Sequence, residues 1–193
     1  MSRPLSSPWL ALALLLTLAL AGCQTRRPAV APARPPTGPN PYWRPAPAGP
    51  TASGPLTPYE ADVVRLVNEQ RARGGVCGGQ AMPPAAPLVV LPQLVAAARA
   101  HSWDMGLNNY LDHRSRDGRG VGDRVRAAGY VGRGWGENIA QGHSSPQEVM
   151  QGWMISPGHC RNILNASFRF IGVGHAYTPA AAMQHSWTQD FGS

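Results

Sequence analysis

The chain has 193 residues and a formal net charge of +7, because 17 basic residues outnumber 10 acidic ones. All the basic residues are arginines, and a basic surface attracts anionic lipid headgroups or wall polymers. We expect no nucleic-acid partner, because the chain carries no recognisable nucleic-acid-binding motif and begins with an export signal.

Residues 1–22 are predicted to be a signal peptide. Arg3 supplies the positive charge, and an apolar run of about 12 to 15 residues ends in the small-residue sequence "LAGC". The run is shorter than the ~20 residues of a membrane-spanning helix. The tetrapeptide resembles a bacterial lipobox, in which the cysteine becomes the acylated N-terminus, so Cys23 is the predicted lipidation site. The alternative is an ordinary signal peptide followed by an incidental cysteine.

Residues 23–56 are predicted to be the lipidated cysteine and a proline-rich, disordered tether. Residues 24–56 contain half of the 20 prolines and no acidic residue, so they cannot build a core. Extended at ~3.1 Å per residue, they would reach about 100 Å. Gln24 follows the cysteine, which by resemblance indicates the outer membrane where the cell has one. The predicted location is the cell envelope, anchored to a membrane and facing the periplasm or the cell surface.

Residues 57–193 are about as long as one domain with one hydrophobic core. The first predicted helix begins at a capping box formed by Thr57 and Glu60 and ends at Gly74 and Gly75. One face of this helix carries Val63, Leu66, Val67 and Gln70.

The segment 76–92 is rich in glycine and proline, and we expect no regular structure there. A longer helix is predicted over 91–111, with an inward face of Leu94, Ala98, His101 and Met105. His101 on that face is interpreted as a hydrogen-bonded core histidine. A direct ligand role is the alternative.

A polar loop around His113 precedes a short helix that ends at Gly129. Residues 135–142 are predicted to form a strand with Glu137 on the same side as two apolar residues. The next helix begins with Ser145 as its cap, and Glu148 closes a second capping box.

Two alternating runs near the C-terminus predict an antiparallel hairpin. The faces of the two runs are Ile171, Val173, His175 and Tyr177, and then Met183, His185, Trp187, Gln189 and Phe191. Four or five helices and about three strands, with the helices mostly first, indicate an α+β domain.

Five motifs occur in the order and spacing of a bacterial CAP (SCP) domain: "AHSWDM", "GENIA", "SPGHCRNILN", "IGVG" and "WTQDFG". The chain therefore resembles the superfamily of cysteine-rich secretory proteins, venom allergens and plant pathogenesis-related proteins over Tyr59 to Gly192. The resemblance implies a three-layer α-β-α sandwich with a small antiparallel sheet, and ligands such as lipids, divalent cations or envelope components.

The resemblance also implies a binding cleft lined by His113, Glu137, Ser156 and His159. The family has a second acidic residue where this chain has Ser156. His113, Glu137 and His159 would still form a two-histidine, one-carboxylate site for a divalent metal such as Zn²⁺. The alternative is a hydrogen-bonded network that shapes the cleft.

Cys77 and Cys160 are predicted to form a disulfide. Once Cys23 is assigned to the lipid anchor, these two cysteines remain in an oxidising compartment, where pairing is the default. The bridge would contribute ~4 to 5 kcal/mol in the chain-entropy model. A nucleophile made of Cys160 and its neighbour His159 is disfavoured, because adjacent side chains usually point in different directions.

We therefore predict a binding module and assign no catalytic residue. The alternative is a metal- or serine-dependent hydrolase of envelope peptides or esters, with Ser156 attacking. Ser-x-x-His is a weak signal and the sequence has no G-x-S-x-G elbow. A third hypothesis is a structural envelope protein with a vestigial cleft.

Overall fold

A computed structural model of the chain describes residues 54–193. The predicted signal peptide, the lipidation site Cys23 and the predicted tether up to residue 53 lie outside the described residues. Within residues 54–193, no helix has the length and apolar character needed to cross a membrane.

The described residues form five helices and six strands. The helices are α1 (Pro58–Arg73), α2 (Pro92–Asn108), α3 (Val121–Ala127), α4 (Pro146–Ile155) and α5 (Pro157–Leu164). The strands are β1 (Gly75–Cys77), β2 (Gln80–Met82), β3 (Val89–Val90), β4 (Trp135–Gln141), β5 (Phe170–Tyr177) and β6 (His185–Gly192).

The main sheet has the strand order β3-β5-β6-β4. Strands β5 and β6 form the predicted antiparallel hairpin, with His175 opposite Trp187 and Tyr177 opposite His185. Strand β4 pairs antiparallel with the other side of β6, whereas β3 pairs parallel with β5. Met183 was predicted on the second run, but it lies in the loop before β6.

The prediction that residues 76–92 lack regular structure is wrong. Strands β1 and β2 form a separate two-stranded hairpin, and its turn uses Gly78 and Gly79 at φ values of 58° and 86°. Glycine tolerates such left-handed backbone, which suits a two-residue hairpin turn. Strand β3 owes its extended form to pairing with Phe170 and Ile171, and this is a tertiary effect that composition does not reveal.

Helix α1 begins as predicted. The Thr57 hydroxyl accepts a hydrogen bond from the Glu60 amide (3.3 Å), and the Glu60 carboxylate accepts one from the Thr57 amide (2.8 Å). At α4, Ser145 accepts the amide hydrogen bond of Glu148. The Glu148 carboxylate, however, accepts from Ser144 instead of Ser145, so the second predicted capping box is only half formed.

Helix α2 packs on one face of the sheet at Gly172 and Gly174. A Cβ atom at either glycine would overlap the α2 backbone, at Leu94 and Val95 or at Ala98 and Arg99. The "IGVG" motif therefore lets helix and sheet approach closely. The predicted inward face of α2 is fully buried, including Leu94, Ala98, His101 and Met105.

Helices α1, α4 and α5 cover the opposite face of the sheet, which completes the predicted three-layer α-β-α sandwich. Their shared core holds Val63, Val67, Trp153, Ile163, Ile171, Val173, Trp187 and Phe191. The predicted disulfide joins Cys77 on β1 to Cys160 on α5, with Cα atoms 5.5 Å apart. It therefore ties the small hairpin to the helix that carries His159.

Candidate functional site

Glu137 lies at the centre of the candidate site, on the edge strand β4. Its side chain is 1% exposed, and both carboxylate oxygens have donors. His113 Nδ1 donates to Oε1 (2.7 Å), and Arg124 Nη2 donates to Oε2. Burial alone would raise the pKa of Glu137, but the His113 hydrogen bond and the positive charge of Arg124 outweigh it and lower the pKa. Glu137 is thus a buried, ionised and fully hydrogen-bonded carboxylate.

Arg124 is a site residue that the sequence did not single out. It lies on α3 with a side chain 4% exposed, and its Nη1 donates to the backbone oxygens of His113 and Arg119 and to the Ser115 hydroxyl. It therefore neutralises Glu137 and also holds the loop that carries His113. In the sequence it is one of many arginines between residues 114 and 133, and no local pattern marks it as the buried one.

His113 is the exposed member of the site, with 56% of its side chain accessible. Because Nδ1 donates to Glu137, Nε2 points away from that bond and is hydrogen bonded to no described residue. The hydrogen bond to Glu137 raises the pKa of His113, against a smaller opposing effect of burial. The pair is therefore a carboxylate-oriented imidazole with one ring nitrogen open to a ligand.

His159 lies on α5 and is half-buried. Burial lowers its pKa, and the positive charge of His113 lowers it further, so His159 is neutral at neutral pH. Ser156 caps the same helix, and its backbone oxygen accepts from the Cys160 amide. Within residues 54–193 the Ser156 hydroxyl makes no hydrogen bond. The structure thus links His113 directly to Glu137, and His159 to His113 only through electrostatics.

Two asparagines connect the strand of Glu137 to the helix of His159. Asn138 donates to the His159 backbone oxygen (3.1 Å) and to Gln189 Oε1 (3.0 Å). Asn162 donates to the Glu137 backbone oxygen (3.1 Å) and to Asn138 Oδ1 (2.9 Å). The sequence did not single out Asn162, although these two hydrogen bonds let it position both halves of the site.

The core-histidine interpretation of His101 is confirmed. Its Nε2 donates to the Asp112 backbone oxygen (2.9 Å), and its Nδ1 accepts from the Ser115 hydroxyl (3.3 Å). Burial lowers the pKa of His101 to about 4, so it is neutral. A further buried acid, Asp190, lies opposite Glu137 on β6 and was not predicted from the sequence.

The predicted metal site requires His113, Glu137 and His159 to bind one ion together. Within residues 54–193, no group of three or more His, Cys, Asp or Glu side chains is arranged to hold a metal ion. Both oxygens of Glu137 accept hydrogen bonds, from His113 and from Arg124. Of the predicted ligands, His113 Nε2 and the His159 ring therefore remain available to bind a metal ion. The site with His113, Glu137 and His159 as joint ligands remains a prediction, as does a ligand role for Ser156.

Comparison with known proteins places these residues in a family. Residues 64–191 match the model of the cysteine-rich secretory protein family, CAP. The chain is 38% identical to the uncharacterized protein YkwD of Bacillus subtilis over 143 residues, covering 73% of this chain and 50% of the relative. It is 30% identical to the uncharacterized membrane protein YlbC of the same organism, covering 61% and 32%. The chain thus spans half or less of the length of these curated relatives.

Solved structures show the same fold. An extracellular protein with an SCP domain from Bacillus anthracis superposes with a TM-score of 0.58 at 32% identity, covering 72% of this chain and 45% of that one. An outer surface protein from Borrelia burgdorferi superposes with a TM-score of 0.53 at 17% identity, covering 68% and 92%. The second likeness concerns the fold alone.

Proposed function

Because the chain belongs to the cysteine-rich secretory protein (CAP) family, we propose that it is an extracytoplasmic binding module and not an enzyme. Its ligand site comprises His113, Glu137, Ser156 and His159. The observation that carries the proposal is the hydrogen bond from His113 to the buried Glu137. That bond fixes the His113 ring, and its Nε2 is hydrogen bonded to no residue among 54–193.

The ligand group is inferred from the charges at the site. Arg124 balances the negative charge of Glu137, and the raised pKa of His113 increases the fraction of its ring that is protonated near neutral pH. A protonated ring presents Nε2–H as an outward donor. This state favours an anionic acceptor and opposes a cation. The proposed ligand group is therefore a phosphate or carboxylate of an envelope component.

The surrounding loop adds a weak attraction for anions. Residues 112–119 include two aspartates and three exposed arginines, which are Arg114, Arg116 and Arg119. Solvent-exposed charges of this kind act mainly on approach, and salt screens them. Binding should therefore weaken, but persist, at physiological ionic strength.

A hydrolase of envelope peptides or esters is the second candidate function, and the same hydrogen bond favours it. A histidine oriented by a carboxylate is the arrangement of a general base and also of a metal-ligating imidazole. A divalent ion at this site would be held by His113 and His159, with Glu137 behind His113, and would act as a Lewis acid. A serine mechanism is weaker, because the Ser156 hydroxyl makes no hydrogen bond to either histidine.

Location is part of the proposal. The similar Bacillus anthracis protein is described as extracellular, and the "LAGC" sequence supports acylation of Cys23 at a membrane. Two or more acyl chains would anchor the chain stably, because each buried methylene contributes ~0.8 kcal/mol. Cys23→Ser should release the protein from the membrane fraction, and a Cys23→Ser protein that stays in that fraction would contradict the anchor.

Binding can be tested by co-sedimentation with vesicles of phosphatidylglycerol in phosphatidylcholine, compared with phosphatidylcholine alone. Soluble inorganic phosphate as a competitor distinguishes a headgroup from a bare phosphate. His113→Gln should weaken binding to the anionic vesicles, whereas Arg73→Gln, which removes an exposed arginine of α1, should have little effect. Equal losses in both variants would indicate general charge attraction and contradict the site.

Hydrolysis of a peptide or ester panel that disappears in folded His159→Ala would favour the enzyme instead.

A further inference from the structure

A second pair of histidines lies outside the site described above, on the β5–β6 hairpin. His175 is paired with Trp187 and His185 with Tyr177, so the two histidines are diagonal neighbours across the strands. His175 Nε2 and His185 Nδ1 are 3.0 Å apart. In the metal-free protein one ring donates this hydrogen bond to the other.

The same spacing fits two ligands of one metal ion. Zinc–imidazole bonds are about 2.0 to 2.1 Å long, so two nitrogens on one ion at angles of about 90° to 110° lie roughly 2.8 to 3.4 Å apart. We propose that His175 and His185 form a two-histidine binding site for a divalent transition-metal ion, separate from His113 and His159. The metal would replace the hydrogen bond between the rings and lie beside the line that joins the two nitrogens, because two bonds of about 2.0 Å do not fit on a 3.0 Å line, and both rings would tilt toward it.

Aromatic neighbours hold both rings in place before any ion binds. Tyr59 stacks on His175 with centroids 5.0 Å apart, and Trp187 packs against the same ring at 4.1 Å. Tyr177 packs against His185 at 4.9 Å. Fixed rings lower the entropy cost of binding. Both histidines are only partly buried, and Tyr59 and Tyr177 are 41% and 50% exposed, so an ion can approach.

The hydrogen bond between the rings also suits a metal. The ring that accepts it does so through a nitrogen lone pair, so one of the two nitrogens is already unprotonated. On binding, the proton between the rings moves to the other nitrogen of the donor ring, and no net proton is released. Neither His175 Nδ1 nor His185 Nε2 is hydrogen bonded to another described residue, so either can carry that proton.

The ligand set selects the type of ion. Imidazole nitrogens suit copper, nickel and zinc, whereas calcium and magnesium require oxygen ligands. No group of three potential His, Cys, Asp or Glu ligands is present within residues 54–193, so water would fill the remaining positions. The Irving–Williams order then predicts that Cu²⁺ binds more tightly than Zn²⁺.

The test is calorimetric titration of Cu²⁺ and Zn²⁺ into the purified full-length chain at pH 7. The variants are His175→Gln and His185→Gln, and His159→Gln is the matched control that removes an imidazole from the other site. We expect one saturable Cu²⁺ site, weakened in either hairpin variant by more than the about 10- to 100-fold typical of lost outer-sphere contacts, and retained in His159→Gln. Electron paramagnetic resonance of bound Cu²⁺ should show two coupled nitrogens, reduced to one in each hairpin variant.

Three results would overturn the site: no saturable binding, binding unaffected by both hairpin variants, or binding lost only in His159→Gln. The last result would place the metal at the first site. Should His175→Gln fail to fold, as judged by circular dichroism, His185→Gln still tests the proposal, because its ring is nearer the hairpin end. The outcome is independent of the anion-binding proposal, which is tested with His113→Gln.

Discussion

Glu137 and Asp190 lie directly opposite each other on β4 and β6, and both carboxyl groups are buried. Glu137 receives hydrogen bonds from His113 and Arg124, whereas neither oxygen of Asp190 has a donor. Burial raises the pKa of Asp190 well above its usual range, and the charge of Glu137 raises it further. The two acids therefore hold one negative charge between them, and protonated Asp190 can donate to Glu137.

Asp190→Asn should consequently be tolerated. An amide replaces the protonated carboxyl with a neutral group of the same shape that can still donate to Glu137, so we expect less than about 1 kcal/mol of lost stability. Urea denaturation at pH 7 measures this, with Asp190→Leu as the comparison that lacks the donor. If Asp190→Asn were as unstable as Asp190→Leu, Asp190 would have to be ionised in the native protein.

Arg124 should be more sensitive than its exposed neighbours. Arg124→Leu leaves Glu137 buried without its cation, and removal of one partner of a buried ion pair costs about 3 to 5 kcal/mol. Arg126→Leu, on the exposed side of α3, removes a surface ion pair with Asp123 and a cation–π contact with Trp135, and together these should cost less than about 2 kcal/mol. Equal denaturation midpoints for the two variants would contradict the buried pair.

Stability should fall as the pH is lowered from about 6.5 to about 4. His101 has its pKa lowered by burial to about 4, so it stays neutral in the folded chain while it takes up a proton in the unfolded chain. The unfolded state binds more protons in this window, so acid favours unfolding. The stability lost through His101 is limited to roughly 3 kcal/mol, because each unit of difference between its folded and unfolded pKa contributes about 1.4 kcal/mol. His101→Gln should flatten the pH dependence of the denaturation midpoint, and an unchanged slope would argue against a neutral buried His101.

Close packing of α2 on the sheet predicts a contrast between two glycines. In Gly174→Ala the new methyl group would overlap the backbone of Ala98 and Arg99, so we expect destabilisation of at least the about 1 to 3 kcal/mol of ordinary overpacking. Gly158→Ala, in α5, meets no atom within 4 Å and should stabilise the helix by about 0.5 to 1 kcal/mol. Thermal denaturation of both variants compares the two effects, and similar melting temperatures would contradict the packing.

Local signals in the sequence predicted most of the fold. The capping box at Thr57 predicted the start of helix α1. The alternation of residues between two faces predicted the β5–β6 hairpin. Both signals act within a few residues. Strands β1 to β3 were missed because each has three residues or fewer, and only pairing with a partner defines them. The parallel pairing of β3 with β5 depends on contacts about 80 residues apart, as from Val89 to Phe170.

The site was predictable in part. The resemblance pointed to His113, Glu137 and His159, but Arg124, Asp190 and Asn162 matter through burial and cross-element hydrogen bonds, which a single sequence does not display. Arg124 looks like any surface arginine until α3 turns it toward Glu137. The structure adds that Glu137 orients the His113 ring, whereas its role as a joint metal ligand remains a prediction.

In the proposed function, His113, oriented by Glu137, contacts an anionic ligand group. This contact can be followed by the nuclear magnetic resonance signal of the His113 ring during titration with phosphatidylglycerol bilayers, in the wild type and in Glu137→Gln. We expect a saturable shift of the His113 signal and a further rise of its pKa on binding, both weakened in Glu137→Gln. If the His113 signal and its pKa stay constant while the protein binds the bilayer, the ligand lies elsewhere and His113 does not contact it.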